Sequence, residues 1–346
     1  MQALTTRVTR LLRCKTPIIL PPMAGAGGGL LAARVSLAGG FGFIPAGYGS
    51  IDSFRSELSL AKSTILDAQA EAAEPSGDPP GFGVGLMGWQ LDHPNDNSSV
   101  PRQALRHALE SRVASIWLSF GSSLGDWVRY IRSHDKDVVI TVLVNSVDEA
   151  IQAANEWKVD LLVAQGIESG GHGGAYAPPL LSLVPGILTA LPNGPPVLAA
   201  GGLATGSHLA SMLALGAEGV VYGTRFLLTD ESFYNHVQKQ ALLEASSTST
   251  VRTKIFDEVR GTTSWPDGVD GRALRNMTIE EAGVYSLEER KERFQNAIRQ
   301  NDKDRILVWA GTGVGLMKAV KPAADVVRDL QEEALSRIQA VGTHIT

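Results

Sequence analysis

Short apolar runs that end in glycine, proline or polar residues alternate along this 346-residue chain with longer stretches of helical periodicity. Strands buried on both faces of a parallel sheet read as near-continuous apolar runs, each followed by a crossover helix, so the alternation predicts βα units. Eight runs stand out: PIIL (17–20), FGFIPA (41–46), GFGVGL (81–86), SIWLSF (115–120), VVITVLV (138–144), DLLVAQG (160–166), PVLAAGG (196–202) and GVVYGT (219–224). Helices are predicted between them, for example over 101–112 and 147–157, the second opened by Ser146 as N-cap with Glu149 three residues on. Eight strands with short crossovers predict an α/β fold of the closed (β/α)8 type, a TIM barrel. An open doubly wound sheet is the alternative, but no GxGxxG follows an early strand.

After the eighth run the texture changes. Residues 228–305 are polar and helix-rich and carry the turn-like SWPDG at 264–268. They are read as a smaller, substrate-covering domain inserted after strand 8, with the barrel made of residues 1–227 and 306–346. The amphipathic stretch near 321–338 is then the eighth barrel helix, postponed by the insert. No individual residue of the insert is singled out, and Trp265 stands equally as pocket residue or packing anchor.

Apolar residues make up 44% of the chain and charged residues 19%, enough for a large buried core without a compositional sign of disorder. The formal net charge of -5, with no cluster of Lys and Arg, argues against a nucleic-acid surface and for a small-molecule ligand. Cys14 is the only cysteine, which excludes an internal disulfide, a cysteine zinc cluster and a CxxC redox pair and fits a reducing, cytoplasmic setting. Residues 169–217 carry no Asp, Glu, Lys or Arg, but prolines interrupt the stretch, so no membrane span is expected. Arg7, Arg10, Arg13 and Lys15 resemble a presequence in composition, yet they run directly into the first strand; no targeting segment is read there. A homodimer is left open.

In barrels the chemistry sits at the carboxyl ends of the strands, and phosphate commonly sits on the loops after strands 7 and 8. Gly201-Gly202 ends the seventh run and Gly223-Thr224 the eighth. Their backbone N–H groups could converge on a phosphate without any lysine, with the Thr224 hydroxyl added. The first strand ends in PPMAGAGGG (21–29), whose small residues would let backbone lie against a flat ring. The sixth gives QGIESGGHGG (165–174), placing His172 on a glycine-lined loop at the catalytic face. An imidazole titrates near neutral pH and suits proton transfer, which makes His172 the candidate catalytic group. His208 is placed on the helix after strand 7, and His93, His107, His134, His236 and His344 on surfaces or loops. Glu168 has no second histidine at ligand spacing, so no metal is expected.

These loops together resemble those of the nitronate monooxygenases, formerly called 2-nitropropane dioxygenases. The matching pieces are TPIILPPMAGAGGG (16–29), QGIESGGHGG (165–174), AAGGLATG (199–206), GAEGVVYGTRFLLTDES (216–232) and AGTGVGL (310–316), in an order and spacing that suit successive βα units. The resemblance implies FMN over the barrel mouth, its phosphate at Gly201, Gly202 and Val221 to Thr224, including Tyr222. Its ring would lie near Met23, Ala24 and Gln165, and Pro22, Gly85, Gly170 and Gly171 complete the cofactor-binding set. It also implies that His172 removes the proton α to a nitro group, or orients a nitronate, for oxidation by O2 to a carbonyl compound and nitrite.

The chain departs from the family pattern at Gly85, often Asn, at Ala200, often Asp, at Gly173, often Arg, and at Tyr222, often Met. A flavin-dependent enoyl-thioester reductase or NAD(P)H:quinone reductase of the same superfamily is the alternative function. A non-flavin barrel that holds a sugar phosphate is a third class.

Overall fold

The computed structural model describes residues 3–71, 79–92 and 99–344. Among the described residues eleven strands occur: β1 (Ile18–Leu20), β2 (Phe41–Pro45), β3 (Gly83–Met87), β4 (Ser115–Ser119), β5 (Val139–Val144), β6 (Leu161–Gln165), β7 (Gly171–Gly174), β8 (Val197–Ala200), β9 (Val220–Val221), β10 (Thr250–Thr253) and β11 (Val269–Leu274). All eight apolar runs become barrel strands, closing in the order β1-β2-β3-β4-β5-β6-β8-β9 with parallel pairing throughout. The remaining three form a separate antiparallel sheet in the order β10-β11-β7.

Side chains alternate along each barrel strand. Ile18 and Leu20 point outward to the helical layer and Ile19 points inward. The interior is filled by Phe41, Phe43 and Trp117, with edge-to-face contacts at 5.1 Å for each successive pair. The amino-terminal end is closed by a short helix, Arg7–Leu12, whose Val8 and Leu12 join that inner cluster. Cys14 packs beside them, and burial pushes its thiol up to about 12, which removes it from nucleophilic chemistry at neutral pH.

The predicted helices appear as Val100–Glu110 and Val147–Asn155. The Ser146 hydroxyl accepts from Glu149 N at 3.1 Å. The last helix, Ala323–Gly342, packs on helices Gly206–Ala214 and Gly29–Leu37, the position of an eighth barrel helix. The Glu333 carboxylate accepts from Gly206 N and from the Ser207 hydroxyl, which draws its pKa below the usual carboxylate range despite partial burial. Between β9 and this helix, residues 228–305 supply β10, β11, four α-helices and a short 3-10 helix of the described chain. No helix among the described residues is long and apolar enough to cross a membrane.

Candidate active site

The carboxyl ends of the barrel strands surround a cavity of about 340 Å³, within the range of small-molecule sites. Its floor is Trp117, Leu143 and Ala200, the upper layer of the barrel interior. Pro22, Met23 and Ala24 line it after β1, Gly85 on β3, Gln165 at the end of β6, and Gly170, Gly171 and His172 beyond it. Gly201 and Gly202 after β8 and Val221, Gly223 and Thr224 at β9 complete the expected set. Tyr222 is the one expected residue whose side chain is elsewhere. Alternation on β9 turns Val221 inward and Tyr222 outward, where it is fully buried and its hydroxyl donates to Thr205 O at 2.8 Å. Burial, reinforced by Glu333, pushes that phenol well above its ordinary pKa.

The loops after β8 and β9 meet a third segment. Gly201 and Gly202 hold φ of +117° and +68°, backbone that favours glycine. Gly311 N donates to Thr224 Oγ1 at 3.0 Å, which leaves the hydroxyl hydrogen of Thr224 for another acceptor. A β-carbon on Gly202 would lie 2.8 Å from Thr312 Oγ1, so residues 310–316 press directly on the phosphate-loop candidates. The Ser169 hydroxyl, buried on the cavity wall, has no partner among the described residues.

His172 does not sit on a loose loop. It is a residue of β7, paired across from Gly271 of β11. Gln165 Nε2 donates to His172 O at 3.2 Å, and Asn145 Nδ2 donates to Gln165 Oε1 at 3.0 Å. Arg252 of β10 reaches under the same strand: it donates to Gly173 O at 2.8 Å while paired with Asp270. Arg272 of β11 donates to Ile167 O at 3.1 Å. The imidazole lies flat on Trp265, with centroids 3.6 Å apart and planes 12° from parallel, and 4.9 Å from Trp309. Its Nε2 sits 3.1 and 3.0 Å from the two carboxylate oxygens of Asp257.

Glu168 plays no part in this cluster; its carboxylate accepts from Leu180 N at 3.1 Å and caps the following helix. His208 lies on its expected helix, with Nδ1 accepting from Ala204 N at 2.9 Å, and His93 lies outside the described residues.

Sequence reading did not select Asp257, Arg260, Trp309, Tyr48 or Ser169, and left Trp265 undecided. Except for Asp257, which stands behind His172, all of these line the cavity. Among the described residues Arg260 is the only Lys or Arg on its wall. Burial raises the pKa of Tyr48, with Arg260 pulling it down and Asp257 pushing it up, so the phenol and these two charged groups share one corner.

Two departures from the family pattern have a steric reason. A β-carbon on Gly85 would run into the Pro22 ring, so that proline occupies the place a longer residue 85 would take. One on Gly173 would stand 2.7 Å from Gln165 Oε1.

The nitronate monooxygenase family profile matches residues 95–333. The chain belongs to the nitronate monooxygenase family. A nitronate monooxygenase of Neurospora crassa is 34% identical over 94% of this chain and 91% of its own length. Among solved structures, FabK from Thermotoga maritima aligns with a TM-score of 0.79 at 28% identity, covering 99% of this chain and all of its own. The nitroalkane oxidase of Streptomyces ansochromogenes aligns with a TM-score of 0.77 at 25% identity, covering 97% of this chain. The protein is thus an oxidoreductase of the nitronate monooxygenase family on a TIM barrel.

Proposed function

We propose that the protein binds FMN in this cavity and oxidises alkyl nitronates or nitroalkanes with O2 to a carbonyl compound and nitrite, with His172 as base or substrate-orienting group. The observation that carries the reading is His172, held on strand β7 by backbone pairing, lining the same cavity as the glycine ends after β8 and β9.

The residues present fit FMN. Gly201, Gly202, Gly223 and the free hydrogen of Thr224 offer donors to a phosphate, and the small residues of Pro22 to Gly25 leave room for a planar ring. The unpartnered Ser169 hydroxyl and the Gln165 amide are polar groups in position to meet its edge. Bound FMN supplies the electron chemistry between nitronate and O2. Two nitronates and one O2 balance to two carbonyl compounds and two nitrite ions, so no nicotinamide is required.

The protein's tasks are binding, orientation and proton transfer. His172 would take the α proton of a neutral nitroalkane, and Arg260 at the mouth would attract the resulting anion. We further propose that residues 228–305 form a substrate-covering unit on a barrel of residues 1–227 and 306–346, because they contribute Arg260 and Trp265 to the wall.

The expected result is nitrite release from ethyl nitronate in air with no nicotinamide added. Stoichiometric NAD(P)H consumption with an enoyl thioester or a quinone, and no nitrite, would reverse the assignment.

A further inference from the structure

We propose that Asp257 is a positioning residue that fixes the tautomer of His172, holding the proton on Nε2 and leaving the Nδ1 lone pair to the cavity. The inference rests on the reading of His172 as a base and names the group on which that role depends.

A carboxylate only accepts hydrogen bonds, so the ring nitrogen lying 3.0 Å from one Asp257 oxygen and 3.1 Å from the other must carry hydrogen. In the neutral ring the basic nitrogen is then Nδ1. Asp257 stands behind the ring rather than on the cavity wall, with its side chain only 5% exposed, whereas His172 lines the cavity. One face of the ring is covered by Trp265, and Nδ1 makes no hydrogen bond to any described residue, which leaves that nitrogen for a substrate.

Asp257 is itself held. The Thr262 hydroxyl donates to Oδ1 at 2.8 Å, and Thr262 N donates to Asp257 O at 2.9 Å. The other charged and titratable groups around the pair are Arg260 on the same short helix and Tyr48 across the cavity corner. Arg252 and Asp270, under the adjoining strand, satisfy each other. None of these reaches Nε2, so Asp257 alone sets the tautomer.

Carboxylates that orient a histidine typically matter by 10 to 100-fold, and an amide in their place can impose the opposite tautomer. In Asp257→Asn the Thr262 hydroxyl keeps the amide oxygen, which turns the amide N–H toward Nε2 and moves the ring proton to Nδ1. We expect kcat/KM for neutral nitroethane to fall about 100-fold, while turnover of preformed ethyl nitronate, whose proton is already gone, changes by less than about threefold. Equal losses on both substrates, or no loss on either, would overturn the proposal.

A second measurement needs no substitution at Asp257. Ring 15N shifts in histidine-labelled holoenzyme, assigned by difference against His172→Gln, should report the Nε2-protonated tautomer for neutral His172. An Nδ1-protonated ring would refute the inference even if the variant failed to fold. Failure of the base reading is separable, because it would appear as undiminished nitroethane turnover in His172→Gln itself.

Discussion

Replacing His172 by Asn is expected to lower kcat/KM for a neutral nitroalkane by about 10² to 10⁴-fold, the usual cost of losing a general base. The substitution retains a polar side chain of related size. It sits on a strand whose pairing to β11 is through backbone, so β7 should persist. A preformed nitronate separates the two roles assigned to the imidazole. If His172 acts as base, nitronate turnover stays within about tenfold of the unmodified protein. If it chiefly orients the substrate, both substrates lose alike. Nitroalkane turnover that survives within about threefold would remove His172 from the chemistry altogether.

The second large effect is structural. Arg252→Met should destabilise the protein by about 3 kcal/mol, because it strands the largely buried Asp270 carboxylate and removes the donor to Gly173 O. The carbonyl it releases is adjacent to His172, so kcat for nitroalkane should fall together with the melting temperature. The double variant Arg252→Met/Asp270→Leu removes both charges and should recover much of the stability but not the lost activity. Thermal unfolding and nitrite assays on the three proteins check this. A single variant as stable as the parent would show that the clasp contributes nothing.

These two predictions depend on parts of the molecule that differed in how readily the sequence disclosed them. The barrel strands are buried on both faces, and their apolar runs survive in sequence as unbroken local patterns; all eight lie where the pattern places them. The glycine end after β8 was legible for a related reason, since a strand terminus carrying paired glycines signals unusual backbone, and Gly201 and Gly202 do adopt positive φ.

The strand that holds His172 was not legible. GHGG has neither β-branched residues nor alternation, and it becomes a strand only because β11, nearly a hundred residues later, pairs with it. Asp257 was hidden for the same reason: it is one of many acids in a polar segment, 85 positions from the histidine it touches. Trp265 could be read only as a large aromatic near a turn until its stacking on the imidazole gave it a place.

Tyr222 shows a further limit: the inward or outward sense of a side chain on the two-residue strand β9 is decided by register, which sequence alone does not give. At Gly85, where the family often has Asn, Pro22 fills the position from the end of β1.

The account stands on FMN occupying the cavity between His172 and the glycine ends of β8 and β9. The most direct measurement is release of the cofactor from purified protein. The protein should be yellow, and acid or heat should liberate one FMN per chain. Gly202→Val should lower both the melting temperature and the FMN content, because that position combines φ of +68° with a β-carbon 2.8 Å from Thr312 Oγ1. A colourless parent protein that FMN neither binds nor stabilises against heat would contradict the account.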